Sequence, residues 1–453
     1  MGKLFTKGKL GFKEYAAYVC GFIMLNISQL ADQYGLFFMT DVAKFSSAAA
    51  GTILMVTSTI AAFIDPIIGN YVDQTESRWG KYRPYVMFAP IVVALMLVLR
   101  FSAPGFSQGG LTVFYSIAIG IFVIAMAFCS VPLSAFRTVL SDDYNDRNTL
   151  LSLSSLSSAA VGNILGIVCL STVALFGGGE RGWFWFAACC AVLMVICAQV
   201  CQMGVRHIDA PGKIATPPKK PLVTALFRMF KNKPVMCVGF AMFLSTFVTM
   251  IANNVAIHYY THVLHDPSVL ARTSAYGLPV QIISLLSLPF ILRKISKRTL
   301  LFIGFGVSMI KPIVIMLFGA TLSPDTVVLL IILSRVGGSF FTPAITSLIP
   351  ECVDWTNLKE GAGAAALIGA TISFLQKMGR SVASGVAGGL LAFAGYTVGA
   401  EITQSAVTAI LNMNGIYQAI GLCLALVPIL LFPINKQKGE ELRAALRERD
   451  AGK

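Results

Sequence analysis

The run Asp65-Pro66-Ile67-Ile68-Gly69-Asn70-Tyr71-Val72-Asp73-Gln74-Thr75-Glu76-Ser77-Arg78-Trp79-Gly80-Lys81-Tyr82-Arg83-Pro84 sets two opposed signals side by side. A carboxylate, Asp65, lies inside an apolar stretch, and a tight group of Arg and Lys follows just beyond it. A charge in hydrocarbon is costly, so such residues line polar cavities and handle ions or substrates. A basic run at the end of an apolar block marks the cytoplasmic side of a membrane. Together they predict a carrier whose inner gate adjoins its coupling site.

The rest of the chain has the composition this requires. Of 453 residues, 56% are hydrophobic and 12% charged, about half the charged share of a soluble domain. Apolar residues come in blocks long enough to span a bilayer. The expected fold is therefore an all-α polytopic membrane protein. Its spans are predicted near 14–39, 47–71, 84–103, 111–138, 150–177, 183–205, 234–260, 273–293, 299–320, 326–349, 363–396 and 412–434. Residues 206–233, with Pro211, Pro217, Pro218, Lys219 and Lys220, form the one long polar break. This gives an N-terminal six-helix bundle over 1–205, a cytoplasmic central loop over 206–233, a C-terminal bundle over 234–434 and a cytoplasmic tail over 435–453. No strong sequence repeat links the halves, and no cleavable signal peptide is expected.

Charge sets the orientation. With both termini cytoplasmic, the inner loops hold Lys3, Lys7, Lys9, Lys13, Arg78, Lys81, Arg83, Arg147 and the central-loop cations, while the outer loops keep Lys44, Arg181 and Arg272. The net charge of +14 is thus membrane-facing, and nucleic acid is not an expected partner. The ten cysteines lie almost wholly in spans and read as small buried residues. No metal-ligand spacing is present, and His258 and His262, one turn apart, read as interface polarity rather than a zinc pair. Neither a nucleophile–base pair nor a phosphate loop appears, so an enzyme is not expected.

Polar residues inside the spans are the candidate site. Asp65 precedes a proline that frees an upstream carbonyl; it either couples an ion or proton, or pairs with Lys or Arg as a structural lock. The eleventh span places Ser373, Lys377, Arg380, Ser381 and Ser384 on one helical face, with Gln376 beside it. Asn26, Gln29 and Gln33 line the first span next to Asp32. Hydroxyls of Ser154 and its neighbours crowd the fifth, and Thr249, Asn253 and Asn254 the seventh. Membrane Ser and Thr often bond their own backbone; as a set they suit a polyhydroxylated ligand. Lys311 and Arg335 are either ligand contacts or are held by an acid such as Asp32 or by backbone carbonyls.

These residues resemble a known family. The 65–84 run, Met39-Thr40-Asp41-Val42, Asp146-Arg147, the stretch from Asn254 through Leu264 to Asp266-Pro267, Asp354-Trp355-Thr356-Asn357-Leu358-Lys359-Glu360-Gly361 and Ser373-Phe374-Leu375-Gln376-Lys377-Met378-Gly379 are similar, in order, to landmarks of the glycoside–pentoside–hexuronide:cation symporters. These are the melibiose-permease-like branch of the major facilitator superfamily. The resemblance implies twelve transmembrane helices in two six-helix bundles and symport of sugars with sodium, lithium or protons. It implies Asp65 and Lys377 in cation or proton coupling. Asp73, Arg78, Lys81, Arg83 and Asp354 fall at a cytoplasmic gate.

Departures from the family pattern are concentrated in the first half. Ala61 replaces the second acid of sodium-using members, and Phe22 and Asn26, Ser130, and Ser154 or Ser155 stand where charged or polar sugar contacts are expected. Asn26, Asp32, Ser130, Ser154, Asn253, Ser373, Gln376, Lys377 and Arg380 are the expected substrate contacts. A lone desolvated aspartate favours the proton over sodium. The expected protein uses no cofactor or metal, and works as a monomer in the plasma (inner) membrane among lipids, carrying a small sugar or glycoside with a coupling cation. A lysolipid carrier and a non-transporting sensor are the competing readings.

Overall fold

A computed structural model describes residues 11–140, 144–209, 229–319, 321–360, 365–396 and 402–433. The linker positions 210–228 and the tail beyond Pro433 lie outside them. So do the side chains of Asp73 and Arg147. Helices and no strand occur among the described residues. In lipid every backbone N–H and C=O needs a partner within its own segment, which favours helices for apolar blocks.

In chain order the helices are α1 (Phe12–Phe37), α2 (Ser47–Asp73), α3 (Arg83–Arg100), α4 (Gln108–Leu140), α5 (Tyr144–Leu175), α6 (Gly179–Gly204), α7 (Lys233–Asn254), α8 (Val269–Lys294), α9 (Lys297–Phe318), α10 (Pro324–Thr346), α11 (Ile349–Glu360), α12 (Ala365–Phe393), α13 (Gln404–Asn414) and α14 (Ile416–Leu430). Ten helical segments among the described residues are long and apolar enough to cross a membrane. The long helices α1 and α12 are not among them, since Asn26, Gln29, Asp32 and Gln33 in one, and Gln376, Lys377 and Arg380 in the other, lower their hydropathy.

Boundaries moved where local chemistry prevailed over hydropathy. The seventh span continues past residue 260 through Ala256–His258 and a π-helical turn, Tyr259–Val263. The tenth stops at Thr346, and Asp354 sits on the separate, polar α11. The last begins at Gln404 and is interrupted at Gly415.

A repeat invisible in the residue pattern appears at two helix ends. After α1, a π turn over Phe38–Val42 closes with Ala43 N–H bonding Phe38 O at 2.8 Å and Phe45 N–H bonding Met39 O at 2.8 Å. After α7, Leu264 N–H bonds Tyr259 O at 3.1 Å and Asp266 N–H bonds Tyr260 O at 2.9 Å. Each turn is followed by a left-handed residue, Lys44 (φ 56°) and His265 (φ 51°). Two segments that share only a Thr and a Val in register make the same unusual turn.

The chain divides into two units. Described residues of the first come from 1–219 and 270–278; those of the second from 220–269, 279–396 and 401–453. In the first, α1 packs on α5 and α6, α3 on α4 and α6, and α2 on α4. Phe38, Phe101 and Trp183 cluster where the first π turn meets the end of α3 and the start of α6, with Phe101 and Trp183 stacked at 5.6 Å. In the second, α9 packs on α10, and α7 on α12 and α14, around Met242, Val248, Phe341, Ile345, Ile372 and Leu422.

Candidate functional site

Asp65 lies half-buried in α2, eight residues before the helix ends at Asp73. The other first-unit candidates sit in α1, α4 and α5. The Asn26 amide turns back onto its own helix, donating to Phe22 O at 2.7 Å. Ser130 makes a long bond to Ala127 O at 3.5 Å. Ser154 is buried, and its carbonyl accepts from Ser158 Oγ at 3.0 Å. Ser157 and Asn163 likewise bond carbonyls of α5 at 2.7 and 2.8 Å. Much of the hydroxyl-rich fifth span therefore satisfies itself locally, as short polar side chains in apolar surroundings do.

Asp32 has a partner that the residue pattern did not assign. Its carboxylate lies 3.8 Å from the guanidinium of Arg100 at the end of α3; Arg100 is 1% exposed and Asp32 43%. The same guanidinium stands 5.5 Å over the Phe122 ring. It passes so close to α1 that a Cβ on Gly35 would lie 2.7 Å from Arg100 Nη2, which explains glycine there. Arg100 Nε and Nη2 have no hydrogen-bond partner, so the Asp32 charge is the main compensation for this buried cation.

In the second unit, Lys377 and Arg380 stand half-buried one turn apart on α12, close enough to act on one another. Ser373 and Asn253 are exposed. Gln376 reaches Met242 Sδ of α7 at 3.6 Å. Asn254 donates to Ser384 Oγ at 3.2 Å, which in turn bonds Arg380 O at 3.3 Å. Ser381, one turn beyond Lys377, is fully buried. A second group of cations lies across α9 and α10, where Lys311 donates to Gln418 Oε1 at 3.1 Å with Arg335 in electrostatic range. Lys311 is thus held by an α14 amide, and the acid suggested for it, Asp32, is paired with Arg100.

The basic run 78–83 separates into three environments. Arg78 is exposed and stacks 4.4 Å over Trp79. Lys81 is buried, with Nζ 5.5 Å over the Tyr82 ring. Arg83 bonds Gln202 O at 3.1 Å and Gln202 Oε1 at 2.9 Å, both on α6, and Trp79 O at 3.0 Å. Sequence reading missed the residue that organises this turn, Asp209, which is buried against it. The available signal was a single acid in the otherwise basic opening of the linker. Asp354 is half-buried on α11.

His262 Nε2 and Tyr396 Oη are 3.2 Å apart, and His258 packs its ring on the same tyrosine. Among the described residues no group of three or more His, Cys, Asp or Glu could hold a metal ion. All ten cysteines are free.

Comparison with known proteins places this arrangement. Residues 17–436 match the family model described as MFS/sugar transport protein. The isoprimeverose transporter of Lactiplantibacillus pentosus is 26% identical over 440 residues, covering 95% of this chain and 90% of that one. The putative glycoside/cation symporter YagG of Escherichia coli (strain K12) is 23% identical over 412 residues, covering 89% and 86%. Among solved structures, the nucleoside transporter NupG aligns with a TM-score of 0.66 at 15% identity, over 94% of this chain and all of that one; at that identity the likeness speaks for the fold. The chain is an integral, multi-pass membrane protein of a transporter family, not an enzyme, and it belongs to the MFS/sugar transport proteins as a glycoside–pentoside–hexuronide:cation symporter family member.

Proposed function

We propose that the protein is a secondary active transporter that carries a sugar, glycoside or hexuronide together with a cation, by alternating access. The observation that carries this reading is the half-buried Asp65 within an apolar helix, together with the half-buried cation pair Lys377–Arg380 on the long helix α12. Such groups persist at membrane depth where they serve an ion or substrate path. The full reading has twelve spanning helices in two six-helix bundles, both termini cytoplasmic, in the inner membrane. Asp65 is the coupling carboxylate, and Lys377 responds to its charge. Asn26, Asp32, Ser130, Ser154, Asn253, Ser373, Gln376 and Arg380 are substrate contacts; Asp73, Arg78, Lys81, Arg83 and Asp354 belong to the inner gate.

The coupling ion is proposed to be the proton. Ala61 removes the second acid from the turn before Asp65, and a sodium ion needs several oxygen ligands. A ligand drives the cycle only by binding one facing more tightly than the other, so coupling must appear in uptake and not in binding alone.

Counterflow and uptake in proteoliposomes test the reading, with lactose, raffinose, isoprimeverose and a glucuronide, at several pH values, with and without sodium. At least one sugar is expected to accumulate under an inward proton gradient. Binding with no movement of any sugar would sink the transport reading; a strict sodium requirement would sink the proton.

A further inference from the structure

One carboxylate joins the α2–α3 turn to the end of α6. Asp209 is 0% exposed. Its Oδ1 accepts the N–H of Lys81 at 2.8 Å, and its Oδ2 accepts those of Tyr82 and Arg83, both at 2.7 Å. Amides at a helix start have no partner within the helix, and Tyr82, the residue at the N-cap of α3, provides no side-chain bond. A residue 126 positions beyond Arg83 supplies it instead.

The neighbouring groups extend this contact. Arg83 holds Gln202, Gln202 Nε2 donates to Gln199 Oε1 at 3.3 Å, and Gln199 Nε2 donates to Met87 O at 3.1 Å. A continuous polar chain thus ties the first turns of α3 to the last turns of α6. Gly80 completes it, with φ 105° and no room for a Cβ, which would strike the backbone oxygen of Asp209. The cradle demands a carboxylate rather than an amide. All three groups facing Asp209 are donors, and an asparagine would turn an NH2 toward at least one of them.

We propose that Asp209 is a positioning residue for the transport cycle. Its carboxylate clasps the α2–α3 turn to α6 and so fixes where Arg78, Lys81 and Arg83 stand when the carrier changes facing. This rests on the transport reading above. Loosening the clasp slows the conformational step while leaving the sugar contacts intact, so it lowers the maximal rate and spares KM.

The test uses the full-length protein in proteoliposomes, comparing wild type, Asp209→Asn and Asp209→Glu. Hydrogen–deuterium exchange is read on the peptide containing 81–83, and uptake kinetics on whichever glycoside of the panel the wild type moves fastest. In Asp209→Asn, these amides should exchange about tenfold faster or more, because buried donors lose their acceptor. The maximal rate should fall by about tenfold with KM within about twofold, the pattern of an interaction lost between binding and turnover. Asp209→Glu keeps the charge and should recover part of both. If Asp209→Asn fails to insert, Gln202→Ala, which removes the Arg83 bond to Gln202 Oε1 and leaves the one to the carbonyl of residue 202, should show the same split in weaker form. Fast exchange at 81–83 in the wild type, an unchanged maximal rate with loosened amides, or a KM that rises in step would each overturn the proposal. A wild type that moves no sugar overturns the transport reading and this proposal with it. An active wild type with an equally active Asp209→Asn overturns the proposal alone.

Discussion

Single residues set the electrostatics of this protein, and two of them make sharp predictions. Asp65→Asn keeps the shape of the side chain and removes its charge. In proteoliposomes it should abolish uphill accumulation while sparing sugar exchange, and intact accumulation would contradict its coupling role. Asp32→Ala leaves the Arg100 guanidinium buried without its ion-pair partner. The expected cost is about 1–3 kcal/mol, read as a lower unfolding temperature in detergent. Arg100→Met, of similar length and apolar, should cost less than Asp32→Ala, because the carboxylate it leaves behind is 43% exposed, whereas Asp32→Ala leaves the charge of a 1%-exposed guanidinium uncompensated. An unchanged melting temperature for Asp32→Ala would mean that solvent, reaching the 43%-exposed carboxylate, already screens the pair.

Elements show how the halves share a construction that their residues conceal. The π turns after α1 and α7 end on Lys44 and His265, both left-handed. A residue with a Cβ in that conformation costs about 1–2 kcal/mol. Lys44→Gly and His265→Gly should therefore be neutral or stabilising, and Lys44→Val and His265→Val destabilising by a similar amount, measured by thermal unfolding. Opposite responses at the two sites would deny that the turns are equivalent. Within α12, Lys377→Gln should reduce net uptake more than Ser381→Ala, since Ser381 is packed inside and Lys377 is half-buried. Equal effects would remove the cationic face as a functional unit.

At the scale of the whole molecule, the prediction concerns energy coupling. Uptake should respond to an imposed inward proton gradient and remain indifferent to sodium, because the turn before Asp65 offers Ala61 and no second acid. The comparison of Asp65→Asn, Lys377→Gln and the double variant then asks whether the two charges act on each other. A double variant less impaired than the sum of the singles indicates a shared step; strict additivity indicates independent roles.

Hydropathy alone was enough to identify a helical membrane protein and to place most helix boundaries within a few residues. Those properties follow from the cost of exposing backbone polar groups to lipid, which acts on each segment independently. Motif order was enough to identify the family, and it is the reason Asp65 and Lys377 are proposed as the coupling pair. Partner choice was not legible, because it depends on which side chains distant in sequence meet. Asp32 could have been matched with Lys311, yet it is Arg100 that lies across from it, and Arg83, one of a basic run, is taken up by Gln202. Asp209 carries no motif at all. It stands out only through three amides at the start of α3 that its carboxylate accepts.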